Sequence, residues 1–238
     1  FVITGIWWLC FTVPLLRSYR QVHYKRSEDA RAEVLDTFRG LARTMRDIFH
    51  DRRLFVFLVA FFFYIDGVHT VIAMATSYGS ALGIDSTHLI LALLVTQFVA
   101  FPSAVAYGRL ADRFGTLTMI LVAVVAYCGI VGFAAFFLKT ATEFWVLAVL
   151  VGLFQGGIQA LSRSYFGKII PKDRANEYFG FYDIFGRYAS VMGTLLVSVV
   201  TAATGSAELG VLSIAILLVV GFVMLLLMPK EHGEPAGA

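Results

Sequence analysis

Six runs of about 19–26 almost continuously apolar residues follow one another between residues 54 and 228, and they leave few folds open. The runs cover residues 54–78, 89–107, 117–138, 144–162, 178–203 and 209–228. A helix of about 20 apolar residues crosses the hydrocarbon core of a bilayer. Membrane barrel strands would instead be short and alternate apolar with polar. Hydrophobic residues make up 59% of the 238 residues, against roughly 45–50% in an ordinary soluble domain. Charged residues make up 15%, where about 25% is usual. A soluble fold has no way to bury so much apolar surface, and disorder, collagen and a disulfide scaffold are excluded as well. The expected fold is an all-α membrane protein built on a six-transmembrane-helix bundle, residues 54–230.

What precedes the bundle divides in two. Residues 1–16 are apolar but too short for a full span, and they lack the basic leader and small-residue cleavage site of a signal peptide. They read as the end of a truncated transmembrane helix. Residues 17–53 carry ten Lys/Arg and six Asp/Glu and form a charged linker. Leu35, Phe38, Leu41, Met45 and Ile48 recur in it at helical spacing, with Arg39, Arg43, Arg46 and Asp47 between them. Such an amphipathic helix can lie on anionic lipid or pack on the bundle. Residues 231–238 form a polar tail.

Charge also orients the bundle. With the linker cytoplasmic, seventeen of the nineteen Lys/Arg fall on one side; Lys139 is on the other and Arg187 lies within a span. Linker and C-terminus are therefore expected in the cytoplasm. No basic patch with interleaved aromatics stands apart from the spans, which argues against nucleic acid. Cys10 and Cys128 sit in apolar runs as small hydrophobes, with no metal-ligand spacing around them.

Polar side chains at mid-bilayer depth are costly and usually face a protein interior or water. Asp66 lies twelve residues into its span, roughly 18 Å deep at 1.5 Å per residue, with His69 and Thr70 on the same face. Asp66 can bind a substrate amine or carry a proton with His69 as partner; packing, or a helix break at Asp66-Gly67, is the alternative. Asp183 and Arg187 stand at i, i+4 in the fifth span, heading a polar seam through Ser190, Thr194, Ser198 and Thr201. Arg187 suits a carboxylate or phosphate, unless the two form a purely structural ion pair. Gln155 and Gln159 form an i, i+4 pair in the fourth span, and Gln97 sits in the second. These residues share a middle depth on four helices, where secondary transporters hold their cargo. Asp66, His69, Gln97, Gln155, Gln159, Asp183 and Arg187 are the candidate substrate-binding set. Small residues at close-packing spacing accompany them: Gly152 and Gly156, Ala189 and Gly193, Gly129 and Gly132.

Between the second and third spans runs Gly108-Arg109-Leu110-Ala111-Asp112-Arg113-Phe114-Gly115. Its glycines permit a tight turn, Asp112 suits a helix terminus and the arginines anchor the loop. Gly108, Arg109, Asp112, Arg113 and Gly115 are the candidate gating motif. The stretch resembles the short loop motif of the major facilitator superfamily, in the copy within its C-terminal half. Thr116-Leu117 departs from it, standing where a basic pair is common. Asp66-Gly67-Val68-His69-Thr70, and Gly156-Gly157-Ile158-Gln159-Ala160-Leu161-Ser162-Arg163-Ser164-Tyr165-Phe166 followed by Pro171, resemble the autophagy-related vacuolar amino-acid effluxers and their bacterial relatives.

The resemblance implies the C-terminal half of a major facilitator fold, with an N-terminal six-helix half as partner. It implies a transporter of small solutes, such as amino acids or related organic anions, working by alternating access; protons are a candidate partner through Asp66, and the coupling ion is left open. Membrane lipids are the other expected partner. Short loops favour the bacterial cytoplasmic membrane, or the vacuolar membrane in a fungus. A non-transporting scaffold anchored by its spans is the competing reading. No H-E-x-x-H, G-x-S-x-G or facing aspartate pair supports an intramembrane enzyme, and no cofactor is expected.

Overall fold

The structure, a computed structural model, describes residues 2–18 and 30–229, with side chains at 2–17 and 40–229. Linker residues 19–29, the tail from 230 on, and the side chains of Leu35, Phe38 and Arg39 lie outside the described residues. The chain divides into two units, Phe1–Ala42 and Arg43–Ala238. The first holds α1 (Val2–Ser18), an apolar helix with Pro14 inside it, and most of α2 (Ala30–His50).

The second unit is the expected bundle. Its helices are α3 (Arg52–Ala81), α4 (Ser86–Phe114), α5 (Thr116–Phe136), α6 (Ala141–Ile169), α7 (Ala175–Tyr188), α8 (Val191–Thr204) and α9 (Ala207–Leu226). They supply six segments long and apolar enough to cross a membrane, α7 and α8 together with a 3-10 turn at Lys172–Arg174 making the fifth. Four of the six overrun the expected spans at both ends, whereas α5 and α9 start early and stop two residues short, at Phe136 and Leu226. Arg163 and Lys168, expected in a loop, are therefore helical residues of α6.

Local chemistry explains the helix ends. Asp51 caps α3 by accepting from the amides of Arg53 and Leu54 at 2.9 and 3.1 Å. Asp85 caps α4, and the Thr87 hydroxyl and amide hold its carboxyl below its usual range. Thr140 and Glu143 form a reciprocal capping box on α6. Gly115 ends α4 with φ +89°, left-handed backbone that favours glycine.

Within lipid the hydrophobic effect does not distinguish one helix from another, so close approach and hydrogen bonds hold the bundle. α3 packs along α9, where Gly221 admits it: a Cβ there would stand 2.8 Å from the Tyr64 amide nitrogen. α4 packs along α6 in the same way. A Cβ on Gly152 would meet the Thr96 carbonyl at 2.7 Å, and one on Gly156 would overlap the Ala100 carbonyl. Thr96 Oγ1 lies 2.9 Å from the Ala92 carbonyl and 3.1 Å from that of Ala148, bridging the two helices. Gly129 and Gly132, by contrast, have nothing within 4 Å of a built Cβ, so their spacing marks no close approach here.

The last turns of α2, residues 43–50, belong to the bundle's unit. Thr44 and Ile48 of α2 are buried one turn apart. Arg174 Nη1 lies 2.7 Å from Asp47, and its Nη2 lies 2.9 Å from Glu177. Thr44 joins them, accepting from Arg174 and donating to Glu177.

Candidate functional site

α3, α6 and α7 enclose an open cavity of about 330 Å³. α3 contributes Phe61, Ile65 and His69; α6 contributes Gln159 and Arg163; α7 contributes Tyr182, Asp183, Gly186 and Arg187. Helical spacing puts them there: each helix lends one face, at intervals of three and four residues. Four of the seven expected binding residues, His69, Gln159, Asp183 and Arg187, meet in this cavity.

Its wall is aromatic and its mouth is charged. The Phe61 and Tyr182 rings stack with centroids 4.2 Å apart, and Phe166 stacks behind Tyr182 at 5.0 Å. The i, i+4 ion pair expected between Asp183 and Arg187 is not formed. Asp183 Oδ1 instead lies 3.0 Å from Arg163 Nη1, across from α7 to α6. The Arg163 guanidinium also lies over the rings of Phe179 and Tyr182, at 4.9 and 5.9 Å. The preference has a physical basis. Aromatic faces already orient Arg163, so pairing with Asp183 costs that arginine less side-chain freedom than it would cost Arg187. Arg187 is exposed and has no ion pair among the described residues.

The remaining three expected residues lie elsewhere. Gln97 borders a crevice of about 30 Å³ between α3, α4 and α6. Gln155 is half-buried, and its Oε1 is buried without a partner. Asp66 stands between Ile65 and His69 in α3, fully buried, and turns to the fifth span rather than into the cavity. There the span is interrupted. The Ala189 amide closes α7 on the Phe185 carbonyl at 3.1 Å, Ala189 is extended, and Ser190 takes φ +87°. α8 starts afresh at Val191, and Asp66 Oδ1 accepts a hydrogen bond from the Ser190 amide. No break occurs at Asp66-Gly67, where α3 runs straight through.

Residues 1–238, the whole of the chain, match the family described as "Vacuole effluxer Atg22 like". The chain belongs to the Atg22-like family. It is 50% identical over 231 residues to the "Uncharacterized MFS-type transporter YxiO" of Bacillus subtilis (strain 168), covering 97% of this chain and 53% of that protein. It is 26% identical over 253 residues to "Autophagy-related protein 22-1" of Aspergillus niger, covering 98% and 41%. With "Autophagy-related protein 22" of Cryptococcus neoformans (strain JEC21) it shares 27% over 253 residues, covering 98% and 44%. The chain spans about half the length of the curated relatives it matches.

In this Atg22-like chain the motif is not the loop that the sequence suggested: residues 108–114 form the last two turns of α4, and Gly115 alone, at positive φ, separates it from α5. Arg109, Asp112 and Arg113 are exposed there and make no ion pair among the described residues; Arg113 lies over the Phe114 ring at 5.4 Å. Lys168 of α6 reaches the Thr116 hydroxyl beside the motif at 3.3 Å. Arg163 and the aromatic wall are site residues that the sequence did not single out. The signal for Arg163 was present: Gln155, Gln159 and Arg163 follow one another at four-residue spacing on α6.

Proposed function

We propose that this Atg22-like chain forms half of a secondary carrier that moves a small solute bearing a carboxylate across a membrane by alternating access. The carrying observation is Arg187: a guanidinium without an ion pair, opening into a cavity beside His69, Gln159 and the Arg163–Asp183 pair. A free guanidinium presents a two-pronged donor edge that matches a carboxylate. Asp183, with one arginine to share, can receive an amine on the same solute. Amino acids and related organic anions fit that charge pattern, and the aromatic wall suits an apolar side chain.

The second six-helix half would close the cavity from the other side, and rocking the halves would expose it alternately. The family's printed description as a vacuole effluxer supports transport, as does the transporter name of the Bacillus subtilis relative. The short outer loops support our placing it in a bacterial cytoplasmic membrane, and the Lys/Arg distribution supports the linker and C-terminus lying inside.

The test is uptake of labelled amino acids by the full-length protein in liposomes. The wild type accumulates solute, and Arg187→Gln raises KM for carboxylate-bearing solutes at least about tenfold while the protein stays folded. Equal transport by wild type and Arg187→Gln would remove Arg187 from the site. A folded protein that moves no solute in any gradient would restore the scaffold reading.

A further inference from the structure

We propose that Asp66 is a proton-binding site whose charge state sets the joint between α7 and α8, and through it the position of the cavity wall. Its coupling to transport rests on the carrier reading above; the joint itself does not.

Three observations converge on this point. The fifth span is two half-helices meeting at Ala189-Ser190, and Ser190 is the one non-glycine residue with positive φ among the described residues. Left-handed backbone is unfavourable for serine and persists only where something outside holds it. Asp66 is what reaches it. The carboxylate accepts from the Ser190 amide at the start of α8, where the half-helix presents its positive end. Finally, both polar atoms left over are buried and unpartnered: Asp66 Oδ2 and, one turn on, Thr70 Oγ1. Both residues are fully buried, and Gly193 packs so closely on Thr70 that a Cβ there would overlap its hydroxyl.

Such a site is incompletely satisfied in either state. Charged, Asp66 complements the helix end but leaves Oδ2 without a donor. A proton from water bound at Oδ2 makes a neutral carboxylic acid and so removes a buried charge whose second oxygen has no donor. The cost is the charged hydrogen bond to Ser190 and the attraction to the end of α8. No covalent bond other than O–H forms or breaks.

The other charges nearby lie towards the cavity: His69 on α3, Arg163 on α6, and Tyr182, Asp183 and Arg187 on α7. α8 carries no titratable side chain, and that of α9, Glu208, is in its first turn. The site is thus separated from the ion pairs but adjoins them through Ile65 and His69. The joint matters because α7 brings Tyr182, Asp183, Gly186 and Arg187 to the cavity, all within seven residues of the break. Loosening Ser190 lets α7 turn against α8 and carry those groups with it.

The test is hydrogen–deuterium exchange of the full-length protein in lipid nanodiscs between pH 5 and 8, corrected for intrinsic rates. Protection of the amides at 189–193 is expected to fall about tenfold towards low pH in the wild type. Asp66→Asn keeps a side-chain oxygen but carries no charge, so it should show the low-pH pattern throughout. Ser190→Gly retains the amide and relieves the left-handed backbone; it should keep the pH response from a less protected baseline, which covers the case that Asp66→Asn does not fold. Protection that is the same at both pH values in the wild type overturns the proposal. In liposomes, Asp66→Asn should retain solute exchange and lose at least about tenfold of the accumulation driven by a pH gradient. A joint that responds to pH in a protein that moves no solute sinks the carrier reading and leaves the joint standing.

Discussion

Two arginines in one cavity do different work. Arg163 has a carboxylate partner and two aromatic faces, whereas Arg187 has neither, so their substitutions should separate. Arg163→Gln is expected to act mainly on stability and only weakly, because an ion pair this exposed is worth about 1 kcal/mol or less. Asp183→Asn should cost a similar amount by thermal melting and in addition weaken solutes that carry an amine. A larger loss of solute binding in Arg163→Gln than in Arg187→Gln would reverse the assignment. The buried pair of Tyr64 and Ser162, 2.7 Å apart, calls for a different measurement. Tyr64→Phe should lower unfolding free energy by about 0.5–1.5 kcal/mol, and adding Ser162→Ala should cost much less than the first change did. Fully additive losses would mean the two hydroxyls do not depend on each other. At this scale the sequence shows depth well and partners poorly. The depth of Asp66 and Arg187 follows from counting along an apolar run. That Asp183 prefers Arg163 depends on α6 laying that guanidinium over the Phe179 and Tyr182 rings of α7, a packing that no spacing along α7 reveals.

The spans were legible as elements because apolar runs of membrane length suit little besides a transmembrane helix. Their ends were not, since charged residues such as Arg163 and Lys168 continue the helix beyond its apolar stretch. The break in the fifth span was equally hidden. Ala189-Ser190 holds neither proline nor glycine, and the polar seam runs across it with unbroken helical spacing. What meets the break is a carboxylate from α3, a tertiary contact without a local sign. Glycine spacing was a half-reliable guide, and it can be tested as such. Gly156→Ala places a methyl group on the Ala100 carbonyl, backbone that has no rotamer to yield, and should destabilise by about 1–3 kcal/mol. Gly132→Ala meets nothing in this structure and should be neutral or slightly stabilising through helix propensity, by up to about 1 kcal/mol. Thermal melts of the two variants in the same lipid decide the matter; equal losses would mean that Gly132 also lies at a close approach, made by a part of the protein beyond this chain.

For the whole molecule the remaining question is direction, and it turns on charge. Helix geometry is indifferent to which side of the bilayer faces the cytoplasm, whereas Lys and Arg are retained on that side during insertion. The six spans place Lys139, with the capping box of Thr140 and Glu143, at the opposite end from Lys168, Lys172 and Arg174. In the orientation we propose, the arginine clamp formed by Arg174 with Asp47, Glu177 and Thr44 falls at the cytoplasmic edge; it stands where α7 begins, and the Asp66 joint where α7 ends. α7 is a half-helix held by ion pairs at its start and meeting α8 at the Ala189-Ser190 break at its end. This arrangement predicts a labelling pattern. With Cys10 and Cys128 replaced, a cysteine at Lys139 should react with an impermeant maleimide added to intact cells, and a cysteine at Lys172 only after the membrane is opened. The reverse pattern would turn the bundle over and put the clamp outside. The proposed hinge would survive that inversion, since Asp66 stands midway along α3 whichever end faces the cytoplasm.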